Sequence, residues 1–516
     1  MIAPLVAVRQ RVLAVLGRFS MYRLVLLALI VLAVLALVLS FFGGVGPGPL
    51  ELVASLAVLA VAVSAVDALA QRLLHLRWRI ESSLVTALIL LFVLQPGIEL
   101  ASLAALALAG VLASISKYLI AWRGRHILNP AAFGAAVVTI AGLGTFSSWW
   151  VGTPALAVPV VLLGLLVLWR TEKLQIVLAF LTIAVGVSLL RQAVLAQQAG
   201  LDFAIGSALS LAVLQSPFLF LGAFMLSEPL TMPPRRWQQF SVAALVGLLA
   251  GWPIPVGDLF TFGQERALLV GNLLAFAFAV RTSVRLTLEA RRLATPTVHE
   301  LTLRTRGNLR FLPGQYLELE VPHRHPDARG TRREFSIVSA PEDLPLLRIA
   351  YRQSDAQHPS SFKRALAATE PGNPLTVTGT WGDFVLPRDG SPILLVAAGI
   401  GVTPFVAQLR HLQLSGASRD AVLLYVASAA DELAFRPELE SSGARVVVFT
   451  PDEPADLPGH WAWAGGSRLD ARSLDRVVPD VATRHAFISG PPRLIADLTP
   501  ALRRARRLTT DAFAGY

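Results

Sequence analysis

From Tyr22 to residue 284 the chain is a succession of apolar runs, each about 20 residues long. A run of that length with hardly a charge in it has no polar face to give to water. Only a lipid interior accommodates many such runs in series, because a helix satisfies its own backbone there. The approximate limits are 22–43, 50–71, 80–96, 98–119, 129–146, 153–169, 173–190, 204–226, 237–256 and 266–284. They predict about ten transmembrane helices. The first of them reads as a retained anchor, because it is long and lacks a small-residue cleavage site. Beyond residue 285 charge returns and the period changes. The expected fold is a polytopic α-helical membrane domain over 1–285, an antiparallel β-barrel over 286–389, and an α/β parallel-sheet domain over 390–516.

Charge between the runs predicts orientation. One set of alternate loops holds Arg9, Arg11, Arg18 and Arg23, then Arg72, Arg77 and Arg79, then Lys117, Arg123 and Arg125, then Arg170 and Lys173, then Arg235 and Arg236. The other set holds little beyond Arg191 and Arg266. The positive-inside rule therefore places the N-terminus and everything after residue 285 in the cytoplasm, on a multi-pass inner-membrane protein in a lipid bilayer. This placement accounts for the net charge of +11 without a nucleic-acid partner.

There is no cysteine, so disulfides and Cys-held iron–sulfur clusters are excluded. Only His75 and His126 precede residue 285. Both sit near loops, so a haem held between facing helices is not expected, and no metal site is read. Asp67 falls inside a run; it is either an ion-path residue or a solvated, snorkelling one. Two loops differ from simple connectors. In 123–134, Asn129-Pro130 opens a helix of small residues, with Asn as cap and Pro at the first turn. In 225–236, Ser227, Glu228 and several prolines end a helix. Such breaks line sites in membrane proteins, or are capped surface turns.

These two stretches, NPAAFG and SEPLTMPP, resemble motifs of the Nqr B/Rnf D family of membrane flavoproteins, which belong to the sodium-pumping NADH:quinone reductase and to the Rnf electron-transport complex. The resemblance covers most of 22–284. It implies a ten-helix bundle that holds flavin, with FMN esterified to a Thr and riboflavin as a further candidate. The nearest counterpart of the family's S-G-A-T motif is Val151-Gly152-Thr153. Thr153 is thus the implied FMN anchor, on an outer loop; a plain helix cap is the competing reading.

The segment after 286 begins with short, turn-bounded β-rich stretches. Arg332 to Pro341 carries Arg333-x-Phe335-Ser336. A guanidinium there suits a phosphate, an aromatic packs beside an isoalloxazine or ribityl chain, and a Ser hydroxyl reaches a ring nitrogen. An edge strand with a solvated Arg is the plain alternative. Gly314-Gln315-Tyr316 forms a turn that feeds a strand. Ser360 and Ser361 open a short helix, as a cap or as a pyrophosphate site.

From about 390 strands and helices alternate. In PILLVAAGIGVTPF a buried strand runs into Gly399-x-Gly401, with Thr403 as helix cap and Pro404 in the first turn. That offers a helix N-terminus to a dinucleotide. HAFISGPPRL adds Ser489, Gly490 and Pro491 between a strand and a helix, and the chain ends with Phe513 and Tyr516. Together these residues resemble the ferredoxin–NADP⁺ reductase family. The resemblance implies FAD at Arg333, Phe335 and Ser336, and NAD(P)H at Gly399, Gly401, Thr403 and Pro404. It also places Ser489 where the family usually has Cys, and Phe513 or Tyr516 over the flavin. Ser336, Ser489 and Tyr516 are the expected catalytic residues. Ser428-Ala429-Ala430 has no Arg for a 2′-phosphate, which favours NADH over NADPH.

The expected activity is oxidation of cytoplasmic NAD(P)H at FAD, with electrons entering the membrane domain through its own flavin. The acceptor is an extracytosolic flavoprotein, or alternatively a membrane quinone. A third alternative is an ion transporter gated by the redox state of the soluble part.

Overall fold

The computed structural model describes residues 21–74, 80–122, 125–171, 173–228, 231–233, 235–257, 260–278, 284–323, 331–353 and 360–512. Arg9, Arg11, Arg18, His75, Arg77, Arg79, Arg123, Phe513 and Tyr516 lie outside them. The chain divides into two compact units, residues 1–280 and 281–516.

The first unit is helical. Its elements are α1 (Met21–Phe41), α2 (Pro49–Leu73), α3 (Ile80–Val93), α4 (Leu100–Leu119), the hairpin β1–β2 (Ala121–Trp122, Arg125–His126) and α5 (Pro130–Ile140). Then come α6 (Pro154–Thr171), α7 (Leu174–Gln198), a bent segment, α8 (Arg236–Gly251), the hairpin β3–β4 (Ile254–Val256, Phe260–Phe262) and α9 (Gln264–Phe278). The bent segment has two arms, Ile205–Gln215 and Phe218–Leu226, at 45° to each other. The packing repeats: α4 lies on α2 and α5, and α8 lies on α7 and α9.

Every expected apolar run forms helix, but the expected count of ten spans is not confirmed. Among the described residues four helices are long and apolar enough to cross a membrane: Tyr22–Phe41, Pro49–Leu73, Leu100–Leu119 and Leu174–Gln198. The bent segment makes a fifth if its arms count as one span. The reason is length. α3 has 14 residues and α5 has 11. At 1.5 Å per residue they reach only about 21 and 17 Å, against about 30 Å of hydrocarbon. These short helices are instead the inside of the bundle, and Ala87 to Leu94 are all buried.

The caps follow from sequence. Asn129 accepts a bond from the Ala132 amide (3.1 Å), and Pro130 takes the first turn of α5. Lys117 is not the loop charge its position suggests: its side chain is buried against Asp67, at 2.8 Å. Arg266 is likewise buried, paired with Glu265 at 2.6 Å. Asp67 is wholly buried, so it is neither solvated nor snorkelling.

The second unit has two layers of structure. The first is an antiparallel sheet of β5 (Val284–Leu293), β6 (Val298–Thr305), β7 (Tyr316–Glu320), β8 (Arg332–Ser336), β9 (Leu346–Arg352) and β10 (Pro374–Trp381), with α10 (Ser361–Ala367) beside it. The strand order is β8-β7-β10-β5-β6-β9. Its ends meet only in one isolated bridge, Ile337 to Ile349, so the expected barrel is curled without a closing ladder. The second layer alternates strand and helix: β11 (Ile393–Ala398), α11 (Thr403–Leu414), β12 (Ala421–Val426), α12 (Arg436–Ser441), β13 (Arg445–Phe449), β14 (Trp461–Trp463), α13 (Ala471–Val477), β15 (His485–Gly490), α14 (Pro492–Leu502) and β16 (Arg507–Ala512). All pairs are parallel, in the order β14-β13-β12-β11-β15-β16. The chain leaves β11 toward β12 on one side and returns as β15 on the other. A crevice at the carboxyl ends of β11 and β15 is the ligand position such a switch creates.

Candidate active site

At that crevice β11 ends in Ala398 and the backbone turns through Gly399 to Val402 into α11. Gly399 has φ +53°, which favours glycine. A Cβ there would meet nothing nearer than the Arg352 guanidinium at 3.9 Å, so the turn has room above it. Gly401 is the opposite case. A Cβ would lie 2.4 Å from the Ser489 carbonyl oxygen, so only glycine lets the turn rest on β15. The two glycines thus serve different ends, one open to a ligand and one closed on the fold.

Thr403 does not cap α11. The four residues before it already wind as a tight turn, and its hydroxyl donates to the Ile400 carbonyl (2.9 Å). Pro404 sits in the first turn as its sequence predicts. Ser489 is fully buried, and its hydroxyl has no hydrogen-bond partner among the described residues. Gly490 packs on Ala398, whose Cβ would lie 3.1 Å from an added Cβ, and Pro491 precedes α14.

Ser489 pairs in register with Asp511 of β16. Burial pushes the Asp511 carboxyl up to about 6. Asp511 in turn lies within electrostatic reach of Tyr316. Burial, reinforced by Glu334, Asp511 and Asp383, holds the Tyr316 phenol well above its ordinary range. Tyr316 pairs across the sheet with Ser336, which is also buried. Gly401, Ser489 and Asp511 are thus neighbours on the parallel sheet, Tyr316 and Ser336 are paired on the antiparallel one, and Asp511 lies within electrostatic reach of Tyr316.

Arg333 and Phe335 lie on the other face of β8, because successive residues of a strand alternate. Both pack on Phe362 of α10, Arg333 at 5.1 Å and Phe335 at 5.9 Å between ring centroids. This brings the guanidinium to the start of α10, where Ser360 and Ser361 stand. Ser360 is the helix cap and accepts from the Lys363 amide (3.2 Å). The Ser361 hydroxyl meets His323 Nε2 at 3.1 Å. Gly314 (φ +93°) is closed off by the Phe384 carbonyl and by Gln408. Gln315 holds the turn, its amide donating to the Gly382 carbonyl (3.0 Å) and accepting from the Leu312 amide (2.8 Å). Both polar ends of Gln315 thus bond to the protein's own backbone.

The residues present fit a nicotinamide nucleotide: open space over Gly399 lies next to a buried hydroxyl in need of a partner. They also fit a flavin in the chemistry they offer: a guanidinium stands at the start of α10, and a phenol and a buried hydroxyl pair on β7 and β8. Two residues of the site carry no signal in the sequence. Arg352 ends β9 with its guanidinium over Gly399 and its Nε donating to Thr297 (3.0 Å). Asp511 sits at the mouth through strand pairing alone. Neither belongs to a local motif. Thr153 lies in the other unit, its hydroxyl buried without a partner among the described residues. Beside it, Gly152 is packed on Gln215 and Pro217.

No family model matches the chain. It is 31% identical over 209 residues to the reductase subunit of an aromatic O-demethylase from Amycolatopsis sp., covering 38% of this chain and 58% of that one. It is 32% identical over 211 residues to ferredoxin–NADP reductase B of Sorangium cellulosum, covering 39% of this chain and 84% of that one. The flavohaem-like FAD/NAD-binding domain of nitric oxide dioxygenase from Vibrio cholerae aligns with a TM-score of 0.38 and 20% identity, over 45% of this chain and 98% of that domain. The chain spans 58% and 41% of the length of the Amycolatopsis reductase and of a Deinococcus radiodurans flavohemoprotein, about half of these curated relatives. Through a match that takes in most of a ferredoxin–NADP reductase, the chain carries an FAD- and NAD(P)-binding oxidoreductase module and belongs to the ferredoxin–NADP reductase family.

Proposed function

We propose that this protein is a membrane-bound, flavin-dependent NAD(P)H oxidoreductase that passes electrons from NAD(P)H through FAD into its helical unit. The observation that carries the reading is one chain holding both the Gly399–Gly401 turn beside Ser489 and helices long enough to span a bilayer. Bound FAD supplies the conversion of a two-electron hydride into single electrons. The chain's own part is to hold the reactants. The open side of Gly399 admits the nucleotide phosphates, and Arg352 lies over them. The Ser489 hydroxyl gains a partner when the nicotinamide end enters. Arg333 pairs with flavin phosphate, and Tyr316 stays a neutral phenol. Asp431 and Glu432 follow β12, where a 2′-phosphate would come to lie, which favours NADH.

The helical unit's motifs at 129–134 and 227–234 support flavin as its electron carrier. The buried Thr153 hydroxyl favours a flavin held without a covalent bond. The N-terminus and the reductase unit face the cytoplasm in this reading, and the acceptor is a quinone or an extracytosolic flavoprotein. The test is the full chain in proteoliposomes supplied with NADH or NADPH. Expected are resistance to alkaline carbonate extraction, kcat/KM higher for NADH, and reduction of a quinone or of an impermeant acceptor trapped inside. NADH oxidation with neither acceptor reduced would refute the transfer step.

A further inference from the structure

The helical unit buries a set of titratable groups that the reductase chemistry does not use. Asp67 of α2 is fully enclosed. It accepts from Ser83 of α3 (2.6 Å), from Ser114 of α4, and from the Lys117 ammonium of α4 (2.8 Å). Lys117 also approaches the Ser82 carbonyl at 3.5 Å. Its side chain is 9% exposed. It lies in the field of Glu228, which follows the bent segment. Glu228 pairs with His126 at 3.0 Å and accepts from Asn129 at 3.0 Å. The His126 and Glu228 side chains are 13% and 18% exposed, so exposure rises stepwise from Asp67 outward. The other described charges on the helices packed around α2, Arg23 of α1 and Glu81 of α3, pair with each other at 3.3 Å.

A set of this kind is a poor choice if only stability is served. Two buried charges lose hydration that their attraction at best restores, and an apolar pair of similar volume is often as stable or more so. Ionisable groups within apolar helices mark proton or ion routes by default. Asp67 and Lys117 are joined by one hydrogen bond, so a proton passes between them without rearrangement of the chain.

We propose that Asp67 is a proton-uptake site, reached through Lys117 from the Glu228–His126 pair. It takes up one proton from water when the helical unit receives an electron. This rests on the proposed transfer from NAD(P)H into that unit, where a flavin or quinone holds the electron. In the step an N–H bond of Lys117 breaks and an O–H bond forms on Asp67, leaving a neutral amine and a neutral acid. Lys117 then regains a proton passed from water through the His126–Glu228 pair, whose carboxylate lies in its field. The net change is one proton in and one carboxylate neutralised, with no electrons moved. That proton compensates the charge of one electron, which is costly to leave unbalanced in a medium of low dielectric.

The test uses the full chain in proteoliposomes, reduced anaerobically with NADH. It is followed by infrared difference spectroscopy of carboxyl groups and by a pH dye in the outer medium. Wild type is expected to gain a carboxylic-acid band and to take up protons. Asp67→Asn removes the band, Asp67→Glu shifts it, and Lys117→Gln slows uptake at least about tenfold. NADH oxidation by ferricyanide, which reads the reductase unit alone, stays at the wild-type rate in all three. A wild-type band that survives Asp67→Asn overturns the proposal, as does reduction without any such band. Should Asp67→Asn fail to accumulate, uptake at the wild-type rate in Lys117→Gln overturns it equally. A wild-type chain released by alkaline carbonate refutes the membrane reading instead, and the proposal falls with it.

Discussion

Ser489 and Gly401 touch, and a substitution at either reads a different property of the site. Gly401→Val drives side-chain atoms into the β15 backbone, where even a Cβ lies at 2.4 Å from the Ser489 oxygen. The expected result is loss of NADH oxidation by about 100-fold or more with the FAD absorbance retained, because β7 and β8 are untouched; spectra and ferricyanide turnover check it. Ser489→Ala removes a buried hydroxyl that has no partner among the described residues, so the nucleotide-free protein should melt at a higher temperature, by about 1 kcal/mol of stability. Stopped-flow reduction by NADH should slow in the same variant. Arg333→Ala should weaken FAD by about 1.5–3 kcal/mol, measured as a rise in its Kd. Asp511 gives a dependence on pH. Its folded-state pKa, about 6, lies above the ordinary carboxylate value. The folded chain therefore binds that proton more tightly than the unfolded chain, and the stability this provides is complete below about pH 4 and lost as pH rises through about 6. Asp511→Asn should accordingly raise Tm relative to wild type above pH 6 and leave it unchanged below about pH 4. Local spacing makes Gly399, Gly401 and Ser489 legible in the sequence. Asp511 and Arg352 are not, since strand pairing and the end of a distant strand bring them in.

Elements meet the site through a few charged contacts. The turn at Pro341–Asp343 beside the antiparallel sheet is tied to α11 by Arg410, which makes a forked pair with Asp343 at 2.6–2.9 Å. Burial alone would raise the Asp343 carboxyl, but Arg410 and the Ala340 amide outweigh it and hold it below its usual value. Its contribution is thus present above the unfolded pKa and is lost as pH falls through the folded one. A double-mutant cycle of Arg410→Ala and Asp343→Ala should return a coupling of about 1 kcal/mol at pH 7, smaller at high salt, by denaturant melts. Secondary structure is legible wherever periodicity is strong, as in β11 and α11. Helix length is not, because an apolar run continues through the loop that ends a helix. Leu94 carries on the pattern of α3 but bridges to Ser147 instead. Thr403 departs from the expected cap for a related reason: a hydroxyl at a helix start accepts from an amide or donates to a carbonyl, and the turn ahead of it decides which.

At the scale of the molecule, a fragment from residue 281 onward should be soluble and oxidise NADH with ferricyanide, which expression without residues 1–280 checks directly. A reporter after Arg236 should act as cytoplasmic and one after residue 150 as periplasmic. The division into an apolar and a charged part is plain from composition, whereas the inside of the helical unit is not. Lys117 and Arg266 look like loop charges until their partners Asp67 and Glu265 are known, and those lie 50 positions away or directly adjacent. The hairpin β1–β2 stands between α4 and α5, and the hairpin β3–β4 stands between α8 and α9. Each pair is preceded by two helices and a shorter or broken third, and the long helices pack in the same order both times. The recurrence divides the helical unit into two halves of like build, joined by residues 141–153. The polypeptide severed between residues 141 and 153, with both pieces made in one cell, should then reassemble into a working enzyme.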